Sequence, residues 1–144
     1  MFDALSKTER SQKRLEERFL KTMKPFEHPQ GMSMAVLKGE TYYYDLPHAY
    51  YFVLKYLKHF SLLRSLKRGV DKELREAFHE AEQVARDFPG EPCLIFAKHG
   101  SPVLMCVAGS PIRCERFLVV DEFQIVELEH YLQQVWEERH GTWA

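Results

Sequence analysis

Leu74, Ala77, Phe78, Ala81, Val84, Ala85 and Phe88 recur at i, i+3, i+4 and i+7, the apolar stripe of an amphipathic helix, and the chain then changes period abruptly. Phe88-Pro89-Gly90 stops the helix. Three short apolar runs follow at hairpin spacing, residues 93–97, 103–107 and 112–120, separated by His99-Gly100-Ser101-Pro102 and Gly109-Ser110-Pro111. A helix with one apolar face followed by consecutive strands buries that face against the sheet they form. An α+β layer architecture is therefore the strongest constraint the sequence carries.

The flanking segments fit this frame. Ser6 and Glu9 form an S-x-x-E capping box, and Glu9/Lys13 and Glu17/Lys21 are stabilising i, i+4 pairs, which predicts a helix ending before Pro25. Its apolar residues (Leu15, Phe19, Leu20, Met23) crowd into the second half, so the first half of this 1–24 segment projects or packs on a partner. Residues 32–44 read as a hairpin, with Lys38-Gly39 as the turn and Tyr42-Tyr43-Tyr44 in the second strand. At the far end a helix is predicted from about Glu122 to Arg139, capped by Asp121 with Gln124 three residues on, with Ile125, Leu128, Leu132, Val135 and Trp136 as its stripe.

Residues 46–70, LPHAYYFVLKYLKHFSLLRSLKRGV, hold five basic residues and five aromatics with no acid. At 100° per residue, Val53, Leu57 and Phe60 share one helical face, and Lys55, Lys58 and His59 share the other. Past Ser61 the phase reverses, so that Leu62, Leu63 and Leu66 fall nearest the polar side while Arg64, Lys67 and Arg68 fall on the apolar one. The prediction is a helical crossover starting near His48 with a break or kink near Ser61. Gly69 ends it, and Asp71 caps the next helix.

The element order is then helix, two strands, helical crossover, three strands, helix. It predicts a single domain over residues 1–144: one antiparallel sheet of about five strands, a two-strand hairpin and a three-strand meander, flanked by the N- and C-terminal helices. This order is similar to that of PAS, GAF and profilin-like sensor and adaptor folds, a resemblance of topology rather than motif that implies a regulatory or adaptor role.

At 144 residues, 45% hydrophobic and 28% charged, the chain has the composition of a globular protein with its own core. No apolar stretch reaches the length of a membrane span, and the charged N-terminus lacks the apolar region of a signal peptide, so cytoplasmic residence is the expectation. Cys93, Cys106 and Cys114 lie in apolar runs and suit buried, reduced thiols. Charge is sorted into blocks: seven bases against four acids in residues 1–24, five bases in 46–70, seven acids against three bases in 71–91, and seven acids against two bases in 115–144. Such blocks pack against one another within the fold or across a dimer, or recruit a polyanion.

No catalytic residues and no metal ligands emerge. The seven histidines never fall into H-E-x-x-H or H-x-x-x-H, the cysteines lack a C-x-x-C knuckle and a fourth ligand, and G-x-S-x-G, Walker A and G-x-G-x-x-G are absent. No cofactor is expected. Candidate binding residues are Tyr42, Tyr44, Tyr50 and Tyr51 with Lys55, Lys58 and His59, where tyrosines stack bases and cations meet phosphates, and Arg64, Lys67 and Arg68 as a separate contact. Tyrosine-rich edges also suit subunit interfaces. The segment 88–108, FPGEPCLIFAKHGSPVLMCVA, resembles the Pro/Gly turn and paired strands of small toxin-like ribonuclease domains. That resemblance implies RNA cleavage involving His99, although Met105 and Cys106 stand at the catalytic strand positions. The leading expectation is a non-enzymatic regulatory, sensor or adaptor domain acting through protein contacts or a small ligand. Its expected partner is a second copy of itself or another protein, with no membrane; nucleic-acid binding through 46–70 is the alternative, and the ribonuclease the third.

Overall fold

The computed structural model describes residues 6–98, 100–109 and 111–141. Ser6 opens α1 (Lys7–Met23) as the capping box requires, its Oγ accepting the Glu9 N–H at 3.1 Å. Leu15, Phe19 and Met23, four residues apart, are the buried ones, and a 3-10 turn at Lys24–Phe26 ends the helix around Pro25. Strands β1 (Ser33–Leu37) and β2 (Glu40–Tyr44) form the expected hairpin. Lys38 and Gly39 both take positive φ, 54° and 79°, in the two-residue turn.

Residues 46–70 depart from expectation. The part read as helix is strand β3 (Tyr50–Tyr56), and only past Ser61 does a helix form, α2 (Leu62–Arg68), with Ser61 Oγ accepting the Arg64 N–H at 3.2 Å. The position of the break is right and the conformation before it is not. β3 lies in mid-sheet, parallel to β1 on one side and to β4 (Glu91–Ala97) on the other. A strand covered on both faces is apolar on both, so it shows no alternation, and its spacing mimics a helical stripe. Helix α3 (Lys72–Ala85), capped by Asp71 Oδ1 on the Leu74 N–H at 3.1 Å, buries Leu74, Ala77, Phe78, Ala81 and Ala85.

A second correction falls near the C-terminus. β5 (Leu104–Val107) pairs antiparallel with β4, but the third run shortens to β6 (Leu118–Val120), and the start of the expected last helix is strand β7 (Phe123–Glu127). Helix α4 (Leu128–His140) begins only after it. Asp121, read as a helix cap, sits at φ 53° in the two-residue turn between β6 and β7. Its carboxylate accepts the Val70 N–H at 2.9 Å and pairs with Arg75 at 2.9 Å, so it caps tertiary structure instead. Gln124, read as its capping partner, is buried and holds residue 112 from the far side of the loop: Oε1 accepts the Ile112 N–H at 2.5 Å, and Nε2 donates to its carbonyl at 3.0 Å.

The sheet thus has seven strands, not about five, in the order β2-β1-β3-β4-β5-β7-β6, and it is mixed rather than antiparallel. β1, β3 and β4 run parallel, and the remaining pairs are antiparallel. Period-2 alternation divides β4 between two cores. Cys93, Ile95 and Ala97 join α1 and α4 on one face, while Leu94 and Phe96 join α3 on the other. All three cysteines are buried free thiols, and burial pushes Cys93 and Cys106 above the ordinary thiol range. The charge blocks meet inside the fold: Lys55 pairs with Glu80, and Glu73 accepts the backbone N–H groups of Lys58 and His59 at 3.1 and 2.9 Å. No helix among the described residues is long and apolar enough to cross a membrane.

Candidate functional site

β6 is three residues long, and its last pairing along β7 is Leu118 with Ile125, so Val126 and Glu127 run on without a neighbour on that side. The space left open is a groove of about 580 Å³, within the range of small-molecule sites. Its floor and walls are apolar: Leu104, Ile125 and Val126 from the sheet, Phe60 and Leu62 at the start of α2, and Phe117 and Leu118 leading into β6. Gln124 holds the wall segment in place through Ile112.

The polar side chains of this groove are few. The cations Lys98 and Arg116 line it, together with His130 and Glu127, which lie 3.1 Å apart. Two hydroxyls are present, and the backbone engages both. Ser61 Oγ caps α2, and Ser101 Oγ accepts the Lys98 N–H at 2.8 Å and donates to the Lys98 carbonyl at 2.8 Å, closing the 98–101 turn. Neither is held by His130 as a nucleophile would be by its base. Exposed apolar side chains stand on the same elements: Leu63 and Leu66 on α2, Phe117 before the edge strand, and Val119 on it, 60% exposed.

The tyrosines singled out in the sequence do not reach this surface. Tyr50 and Tyr51, successive on β3, point to opposite sheet faces and are 2% and 4% exposed. Tyr50 packs against His48 and Tyr131, and Tyr51 stacks on Phe88 with centroids 4.5 Å apart. Tyr44 is fully buried between Phe19 and Phe52, its hydroxyl without a hydrogen-bond partner among the described residues. Burial raises the pKa of all three. Tyr42 donates to Glu40 Oε2 at 2.8 Å, a bond that raises its pKa in turn.

The cations scatter as well. Lys55 is held by Glu80; Lys58 and His59 are exposed after the end of β3; Arg64, Lys67 and Arg68 are exposed on α2. His99 lies outside the described residues, and Met105 and Cys106 are core residues on opposite faces of the sheet. None of the groove residues Phe60, Leu104, Arg116, Phe117, Ile125 and His130 was among the candidate binding residues, and Phe60 and Ile125 were read only as apolar helix-face residues. Their one sequence signal was the uncovered Phe117 next to Arg116, which gains meaning only once β6 is known to be short. Among the described residues no group of three or more His, Cys, Asp and Glu is placed to hold a metal. No protein-family model, curated protein or solved structure matches this chain.

Proposed function

We propose that this protein is a non-enzymatic regulatory binding domain that takes a small amphipathic organic anion, an apolar body with a carboxylate head, in the groove between α2 and β6. One observation carries the reading: a cavity of about 580 Å³ walled by apolar side chains whose ionised lining is two cations, Lys98 and Arg116, against one carboxylate, Glu127, which is itself engaged by His130. An apolar body is drawn in by burial, while a charged head left unpaired in such a place costs several kcal/mol, so the sign of the rim selects the sign of the head. Engagement of both lining hydroxyls by backbone supports binding over catalysis.

Isothermal titration with dodecanoate tests this, with dodecyltrimethylammonium as the control of opposite charge. Micromolar binding of the acid, weakened about tenfold by Arg116→Glu, is expected. Equal binding of the cationic amphiphile, or no binding of the acid, overturns it. Native mass spectrometry of freshly purified protein reads any retained ligand directly.

Self-association is the second part of the proposal. β6 is an open edge of the sheet, and Phe117 and Val119 stand exposed there, an arrangement that invites pairing with a second copy.

A further inference from the structure

On the other side of the 98–101 turn the molecule carries a second, chemically different concavity. Gln12 fastens α1 alongside the end of β3, its Nε2 donating to the Leu54 carbonyl at 2.9 Å and its Oε1 accepting the Tyr56 N–H at 2.7 Å. The polar half of α1 is thereby set against the carboxyl ends of β3 and β4, where Tyr56 and Ala97, the last residues of the two parallel strands, are register partners. Two cavities lie there, of about 440 and 190 Å³, and they share Ser11, Arg14 and Tyr56 as common lining.

Six cations line these cavities: Lys7, Arg10, Arg14, Arg18, Lys58 and Lys98. Among the described residues, no acidic residue lines either one. Four described cations outside the cleft form ion pairs: Lys55 with Glu80, Lys72 with Glu76, Arg75 with Asp121 and Glu122, and Arg139 with Asp45. Lys7, Arg14, Arg18, Lys58 and Lys98 form no ion pair among the described residues, a trait they share with exposed cations such as Arg64 and Lys67; what sets them apart is that they line one concavity. Arg18 donates to the Ser101 carbonyl at 3.2 Å, which fixes its head at the cavity wall. Like charges gathered in a concave site raise the local potential and favour an anion there. The carboxyl ends of parallel strands are also where open sheets place phosphate-bearing ligands.

We propose that this cleft is a binding site for a small oligophosphate. The cations come from α1, from the end of β3 and from the turn after β4, so they surround a volume instead of tracing a line. That arrangement fits several phosphates close together better than an extended nucleic-acid strand. Ser11 and Tyr56 supply hydroxyl donors between the cations. The site is independent of the apolar groove except for Lys98, which lines both and is left out of the test.

The test is titration of the full chain with inorganic tripolyphosphate, a nucleoside triphosphate and a short single-stranded oligonucleotide at low salt. Tripolyphosphate is expected to bind and to weaken as salt rises. Arg14→Glu and Lys58→Glu are each expected to weaken it about tenfold, whereas Lys67→Glu, on exposed α2, changes affinity less than about twofold. Circular dichroism of each variant verifies folding, and Arg14→Gln and Lys58→Gln serve if a reversed charge unfolds the chain. Tighter binding of the nucleoside triphosphate supports the site with a base seated near Tyr56, and equal binding supports it for the phosphates alone. No binding of tripolyphosphate at about 1 mM overturns the proposal, as does binding indifferent to both variants. An oligonucleotide that binds far more tightly than either phosphate overturns it in favour of an extended strand surface. Failure here leaves dodecanoate binding at Arg116 untouched, so the two sites are judged separately.

Discussion

Gln12 completes the backbone pairing of Tyr56 as a strand residue would, its Oε1 accepting the Tyr56 N–H at 2.7 Å while Nε2 donates to the Leu54 carbonyl two residues back. β1 pairs with β3 only at Tyr51 and Phe52, so the far half of β3 has no strand on that side. A side chain from α1 substitutes for it. Gln12→Ala is expected to lower stability by about 1–3 kcal/mol, because two part-buried backbone groups lose their partner. Gln12→Glu keeps the acceptor, loses the donor and is expected to fall between the two. Urea denaturation with a common m-value checks both.

Tyr44 presents the opposite case. Its hydroxyl is buried and has no hydrogen-bond partner among the described residues, so the folded state bears a desolvation cost with nothing in return. Tyr44→Phe is expected to be neutral or to stabilise by up to about 1 kcal/mol, with the ring contacts to Phe19 and Phe52 kept. A clear loss of stability on denaturation would show that the hydroxyl has a partner.

Alkaline pH should unfold this protein steeply. Burial raises the tyrosine pKa at Tyr44, Tyr50 and Tyr131 and the thiol pKa at Cys93 and Cys106. A group whose folded pKa lies above its unfolded value keeps its proton in the native state after the unfolded chain has lost it. Stability from the tyrosines is therefore full below about pH 10 and falls as pH rises beyond it, by up to about 1.4 kcal/mol per pH unit per group. Tyrosinate absorbance is expected to show these tyrosines ionising only together with the loss of far-ultraviolet dichroism. Smooth titration in folded protein counts against the burial.

Gln124 links stability to the groove. Its amide meets both backbone groups of Ile112, and Glu115 N–H is held by Gln134 Oε1 at 2.8 Å, so the segment leading to Arg116 and Phe117 is pinned at two points. Gln124→Ala is expected to cost about 2 kcal/mol and to weaken groove binding of dodecanoate, because the wall carrying Arg116 loosens. Gln134→Ala releases only the exposed tie and is expected to weaken binding with a smaller effect on stability.

The edge strand gives the oligomer prediction. If copies pair along β6, Val119→Lys places a charge on the outer face of the edge and is expected to convert the oligomer to monomer in light scattering after size exclusion. A wild-type chain that stays monomeric at tens of micromolar removes self-association from the proposal.

Local chemistry was legible wherever a residue's role is set by its near neighbours. The Ser6 cap, the Lys38-Gly39 turn, the α3 stripe and the break at Ser61 all depend on interactions spanning a few residues, and all are present in the fold. β3 and β7 were not legible as strands. β3 is covered on both faces, β7 follows a turn whose Asp121 resembles a helix cap, and both signals take their meaning from strands far away in the chain.

What the sequence by itself determined, then, is the set of amphipathic elements, their caps and turns, and a surplus of cations in two blocks. Tertiary structure decided where those cations stand. It buried Tyr44, Tyr50 and Tyr51, set Lys55 against Glu80, and brought Arg14 of α1 beside Lys58 after β3 and Lys98 after β4. The physical reason is that sequence patterns record which face of an element is apolar. Which strand neighbours which depends on burying all those faces at once, and that choice assembles a cavity from residues that are distant in the chain.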